Sequence, residues 1–322
     1  MTPVTSSSVL DSVRRARQGV AVAGPGRPGG RRPRRLSSRG LTLLLFAVPA
    51  ILLLLLLNLY PVLYAGQQSL RDGDLVDAGS FVGLQNYAAV LTSPEFWRAA
   101  GFTVVFTIVG VFGSWAIGLG LALLLRTRVP ARGVLKVLLL LPWVVPIVVS
   151  STSWNWLVAT PQSPLPLLAR ALGFGDVLFL ADPLLAQITV CVFKVWVSFP
   201  FMMMMMSSAL ASVDTTVYEA SRVDGATSRQ TFRFVTLPMI ARSTYISWIL
   251  MTIFCVNDFP TIFLLTGGGP VDSTQTLVVL AYTTVFQNFQ TGPGVAIAFL
   301  MTLVLIVVSV TLYRQIRKAG IE

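Results

Sequence analysis

The chain has no histidine and only two cysteines in its 322 residues. Without histidine there is no imidazole triad, proton relay or His-ligated metal site. Cys191 and Cys255 both lie inside apolar runs, so neither a disulfide framework nor a cysteine-based metal site follows, and no metal site is expected. Lysine is nearly as scarce, at Lys136, Lys194 and Lys318, and none closes a Gly-x-x-x-x-Gly-Lys phosphate loop. A Gly-x-Ser-x-Gly elbow is also missing. The chain is therefore expected to carry no catalytic residues, and any ATP hydrolysis belongs to another polypeptide. Charge is sparse at 11% of residues, against about 25% in soluble domains.

Apolar side chains fill the gap. They make up 54% of the chain, and mean hydropathy is +0.75, which reads as a polytopic membrane protein. Runs long enough to cross roughly 30 Å of hydrocarbon occur at 41–64, 102–125, 134–158, 184–209, 243–265 and 293–313. Pro49, Pro142, Pro146 and Pro200 fall within or near them and are expected to kink helices in a bundle. Arg34-Arg35 faintly resembles a twin-arginine export signal, but 41–64 is too long and apolar for a removed leader, and no small-x-small site follows. It reads as the first anchored span.

The net charge of +11 is concentrated in particular segments. Nine arginines sit in residues 1–40 among Gly, Pro and Ser, with Asp11 as the one acid. That tail is expected to be disordered and held near anionic lipid, which accounts for the charge without nucleic acid. Basic residues also gather at Arg126, Arg128, Arg132 and Lys136, at Arg222, Arg229, Arg233 and Arg242, and at Arg314, Arg317 and Lys318. One side of the membrane thus receives 20 and the other only Arg71, Arg98 and Arg170. The positive-inside rule then puts both termini and the 210–238 loop in the cytoplasm of a multi-pass inner-membrane protein. The domain reading is a basic tail over 1–40, a six-helix region over 41–314 and a cytoplasmic C-terminal tail over 315–322.

The 210–238 loop is the chain's most distinctive segment. It holds Tyr218-Glu219-Ala220-Ser221-Arg222-Val223-Asp224-Gly225-Ala226 and closes on Leu237-Pro238. Thr216-x-x-Glu219 fits a capping box, which starts a short helix over 217–224. Gly225 permits a left-handed break, and a second helical stretch follows to Phe234. The pattern resembles the cytoplasmic coupling loop of ABC importer permeases, although Ser221 replaces a second alanine and Asp214 stands where proline is frequent. Tyr60-Pro61, Phe81-Val82-Gly83-Leu84-Gln85-Asn86-Tyr87, Phe96-Trp97, Leu141-Pro142, Trp154-Asn155-Trp156, Pro200-Phe201 and Thr266-Gly267-Gly268-Gly269-Pro270 resemble the carbohydrate class of these permeases, the maltose and glycerol-phosphate type. The 160–166 segment departs from it.

The resemblance implies an all-α fold of six transmembrane helices, with a coupling helix between helices 4 and 5. Tyr218, Glu219, Ala220, Ser221, Asp224, Gly225 and Ala226 would dock on an ATPase, Ala220 and Ser221 allowing close approach. It implies a second homologous permease, two ATP-binding subunits that carry the ATP and Mg, and an extracytoplasmic solute-binding protein. The cargo would be a di- or oligosaccharide moved by alternating access. Glycerol 3-phosphate or its diesters are the alternative, although an anion would favour basic residues in the cavity and only Lys194 qualifies. A channel would not need the coupling loop, and an intramembrane enzyme would have Asp258 as its only acid inside a span.

The substrate path has five candidates. Asn257 and Asp258 lie inside the fifth run, where a charge is costly, so they contact cargo or form a structural pair in which Lys194 neutralises Asp258. Trp154 and Asn155, with Trp156, offer either a sugar-stacking platform or an interfacial aromatic belt. Met202 to Met206 reads as adaptable packing.

Overall fold

The computed structural model describes residues 38–77, 79–127 and 129–319 of the chain. The basic tail lies almost wholly outside them, as do the last three residues. The chain divides into two units, 1–60 and 61–322. In the first, the described part is the start of helix α1, Ser38–Ser69. Leu45–Ser69 of that helix is long and apolar enough to cross a membrane, and Pro49 and Pro61 leave it unbroken.

The second unit is helical throughout, and no named strand occurs among the described residues. It runs through α2 Gln85–Thr92, α3 Pro94–Leu124, α4 Arg132–Val144, α5 Ile147–Val158, α6 Pro164–Ala171 and α7 Pro183–Ala211. A short α8, Thr215–Val223, and one turn at Ser228–Gln230 lead into π-helical Thr231–Thr236, then α9 Leu237–Val256, α10 Phe259–Leu265, α11 Leu277–Phe286 and α12 Thr291–Ala319. Among the described residues five helices qualify as membrane spans, and six if α4 and α5 count as one.

That pair corrects the expectation of a merely kinked third span: α4 and α5 meet at 91°. A proline pushes the residue before it out of the helical region, and Val145, before Pro146, is extended at ψ 133°. Pro142 and Pro200, by contrast, sit inside continuous helices. The fifth span also differs from 243–265. The spanning helix runs Ser228–Val256, with α9 as its part from Leu237, and the chain restarts as α10 after Asn257-Asp258. Asp258 caps the new helix by accepting from the Thr261 N–H at 3.1 Å, and Pro260 suits its first turn.

The most buried span is α7. It packs along α3, where Gly110, Ser114 and Gly118 recur every four residues and let two backbones approach. A Cβ on Gly118 would fall 2.6 Å from the Met203 backbone nitrogen. Met202, Met203 and Met206 are fully buried, as adaptable packing requires, and the last two join Leu119, Ala122 and Leu125. The Asn86-Tyr87 pair ties the segment after α1 to α2. Asn86 Nδ2 donates to the carbonyls of Ser69 at 2.9 Å and Arg71 at 2.7 Å, and Tyr87 Oη bonds Ser69 Oγ.

Candidate functional site

The 210–238 loop has a defined shape. Its first helix, α8, begins two residues before the expected 217 because Asp214 is the cap: its carboxylate accepts the Thr216 N–H at 3.0 Å. Bonds from the Thr216 backbone and hydroxyl hold the Asp214 carboxyl below its ordinary pKa. The cap therefore persists above the usual carboxylate range and is lost as pH falls through the lowered value. The expected capping box at Thr216 and Glu219 is replaced by this cap, and Glu219 is exposed. A capping box does form one helix later, with Thr227 and Gln230 each bonding the other's backbone N–H.

Gly225 adopts φ +74° and ends α8 in the expected left-handed break. The Ala226 N–H bonds Ser221 O at 3.0 Å and the Gly225 N–H bonds Arg222 O at 3.1 Å, the two bonds of a Schellman end. Ser221 is buried, its hydroxyl donating to Tyr218 O, so of the two small residues only Ala220 faces outward. The expected second helical stretch is present, and from Thr231 to Thr236 it is π-helical. Pro238 has no N–H for a regular ladder, and Leu237 N reaches back to Phe232 O while Thr236 Oγ1 bonds Thr231 O.

The partner of Tyr218 lies far away in sequence. Arg126, beyond the end of α3, puts its guanidinium 4.9 Å over the Tyr218 ring and donates to its hydroxyl at 3.3 Å. Together with Glu219 and Arg222 they line a cleft of about 700 Å³ between α3 and the loop. In the sequence Arg126 is only a topology signal, because nothing local links it to residue 218.

Inside the membrane region, Lys194 and Asp258 meet. Nζ lies 2.6 Å from Oδ2, and the side chains are 6% and 9% exposed. Thr261 completes the shell, its hydroxyl donating to Asp258 Oδ2 at 2.8 Å. Of the two expectations for Asp258, the geometry favours the structural pair. The Lys194 stem fits because Gly110 has no side chain. An added Cβ would sit 2.8 Å from Cys255 Sγ and 3.2 Å from Lys194 Cγ. Gly110→Ala is expected to destabilise the α3–α7 seam by about 1–3 kcal/mol through overpacking, read as a lower melting temperature in detergent; an unchanged value counts against this fit.

Asn257 is exposed beside that pair, its amide donating to Ile253 O at 2.9 Å. Trp154 turns inward, its ring 5.3 Å from Phe193 and 5.5 Å from Trp196. That placement suits neither the belt nor an open platform. Asn155 bridges α5 to the end of α10 by donating to Leu265 O at 3.1 Å. The glycine run that follows is well bonded rather than loose: Thr274 Oγ1 reaches Gly269 O and Thr266 Oγ1, both at 2.7 Å, and Gln187 of α7 holds Ser273 O.

Residues 114–319 match the family model described as "Binding-protein-dependent transport system inner membrane component". The chain is 32% identical to the trehalose/maltose transport system permease protein MalF of Thermococcus litoralis, covering 84% of this chain and 92% of that protein. It is likewise 32% identical to the diacetylchitobiose uptake system permease protein DasB of Streptomyces coelicolor, covering 89% and 90%. Among solved structures, a bacterial ABC transporter for import of the acidic polysaccharide alginate superposes with TM-score 0.76 over 88% of this chain and 97% of the other, at 18% identity, which speaks to fold alone.

Proposed function

The chain belongs to the family of binding-protein-dependent transport system inner membrane components, and from there we propose that it imports a neutral di- or oligosaccharide as half of a permease pair. As a permease subunit it is a multi-pass transport component and not an enzyme. Two ATP-binding subunits hold the ATP and Mg, and a solute-binding protein delivers cargo on the opposite face. The Glu219 helix and its Gly225 end dock on an ATPase, whose closure draws the paired α8 helices together and opens the path outward.

The observation that carries the choice of cargo is the neutralised lysine. Among the described residues Lys194 is the basic side chain in mid-span, and Asp258 already meets its charge. That leaves no free cation there for glycerol 3-phosphate. The sugars named for two relatives, trehalose/maltose and diacetylchitobiose, support the same class. Tagged chain is expected to co-purify with a second permease and an ATP-binding subunit. Reconstituted with the binding protein, the complex is expected to accumulate neutral disaccharide in an ATP-dependent way. Accumulation of glycerol 3-phosphate instead would overturn the cargo.

Orientation rests on the basic-residue asymmetry. Val223 and Val76 are 88% and 97% exposed, while native Cys191 and Cys255 are buried. In intact cells Val76→Cys is expected to label with an impermeant maleimide and Val223→Cys only after lysis; the reverse pattern inverts the topology.

A further inference from the structure

The departing 160–166 segment builds something of its own. The Thr160 N–H bonds Ser163 Oγ at 3.1 Å and the Ser163 N–H returns to Thr160 O at 2.9 Å, a closed turn from which α6 starts at Pro164. Between this turn and the last two turns of α5 lies a cleft of about 460 Å³, within the range of small-molecule sites. Thr152, Asn155, Trp156, Thr160 and Gln162 line it, and no lining residue is charged. Thr152 and Trp156 stand one helical turn apart on the same face. Ala159 follows as a small residue beside the indole.

Trp156 differs from its neighbour two positions earlier. Trp154 is packed against Phe193 and Trp196, whereas Trp156 is 68% exposed at the cleft. An interfacial anchor sits among acyl chains and headgroups; the cleft that this ring borders is lined mostly by hydroxyls and amides. Asn155 spends one N–H on Leu265 O, which fixes the amide and leaves its second N–H as a donor and Oδ1 as an acceptor. Gln162 is exposed at the opposite rim. A flat apolar ring face edged by uncharged donors and acceptors matches a pyranose, which has an apolar C–H face and a rim of hydroxyls. A phosphate or carboxylate would find no cation here.

We infer that Trp156, with Thr152, Asn155 and Gln162 at its edge, forms an outer subsite that takes a neutral saccharide ring on entry to the transport path. The inference rests on the carbohydrate reading above. Asn155 links the subsite to α10, and thus to the broken fifth span.

The test uses the complete transporter in proteoliposomes, with binding protein loaded with trehalose, maltose or diacetylchitobiose. Trp156→Ala is expected to raise the half-saturating concentration of loaded binding protein about tenfold, the loss typical of an aromatic anchor. Basal ATP hydrolysis, and its stimulation by sugar-free binding protein, stay at wild-type values. Trp156→Phe restores an aromatic face and is expected to stay within about twofold of wild type. Unchanged half-saturation in Trp156→Ala overturns the subsite while leaving carbohydrate import intact. So does an equal loss with sugar-free binding protein, which would mean a protein-docking surface, or a Trp156→Phe variant as weak as the alanine. If the wild-type transporter accumulates none of the three sugars, the carbohydrate reading falls and the subsite with it.

Discussion

Asp258→Asn is expected to cut the yield of assembled transporter severely, and Lys194→Gln in the same chain to restore it. The single change leaves the Lys194 ammonium buried, with its 2.6 Å counter-charge gone. Breaking one side of a buried pair costs about 3–5 kcal/mol, because the remaining charge keeps its desolvation penalty. A permease of ordinary marginal stability does not absorb that loss. The double variant has two neutral amides that can bond each other and Thr261, so the penalty disappears. The measurement is the yield of intact complex by size-exclusion chromatography, with sugar uptake alongside. If Asp258→Asn assembles normally but does not transport, and the double change fails to rescue it, the carboxylate serves the transport path instead. Asn257→Ala is the control for that path: it is exposed and strands no charge, so its yield is expected to stay normal while uptake falls.

Gly225→Pro is expected to leave the membrane region folded but to uncouple it from the ATPase. Proline holds φ near −65°, whereas this position sits at +74°. It also removes the N–H that bonds Arg222 O at 3.1 Å. The end of α8 then reorients, and with it Tyr218 and the Arg126 contact beneath. Uptake is expected to fall by roughly tenfold or more, the size of a typical coupling energy, with loss of ATPase co-purification but unchanged membrane insertion. Gly225→Ala keeps the N–H and meets no neighbouring atom within 4 Å, so its cost is backbone strain alone and its defect is expected to be smaller. A proline variant with full transport and full ATPase binding would remove this loop from the coupling assignment.

Much of this could be read from one-dimensional patterns. Spans follow from runs of apolar residues, because a bilayer fixes the length of helix that needs covering. The orientation reading is a count of arginines and lysines on alternate loops. Gly225 was legible because a left-handed helix end selects glycine locally, whatever the rest of the chain does. The polar Asn257-Asp258 step inside an apolar run was legible as an anomaly, though not which part it plays.

What the tertiary structure decided were choices between local alternatives. Asp214 and Thr216 were both competent to cap α8, and the backbone geometry gave the role to Asp214. Pro146 breaks its span by 91° and Pro200 does not; the two prolines look alike in sequence, and the backbone separates them, since Val145 before Pro146 is extended whereas Pro200 lies inside a continuous helix. Lys194 and Asp258 are 64 positions apart, and Arg126 and Tyr218 are 92. Such pairs are set by how α7 lies beside the broken fifth span and how α3 ends above the loop, which no periodicity encodes. Trp154 and Trp156 make the same point at closest range. Two residues along a helix is about 200° of rotation, enough to pack one half-buried indole against the core and to leave the other at an uncharged cleft.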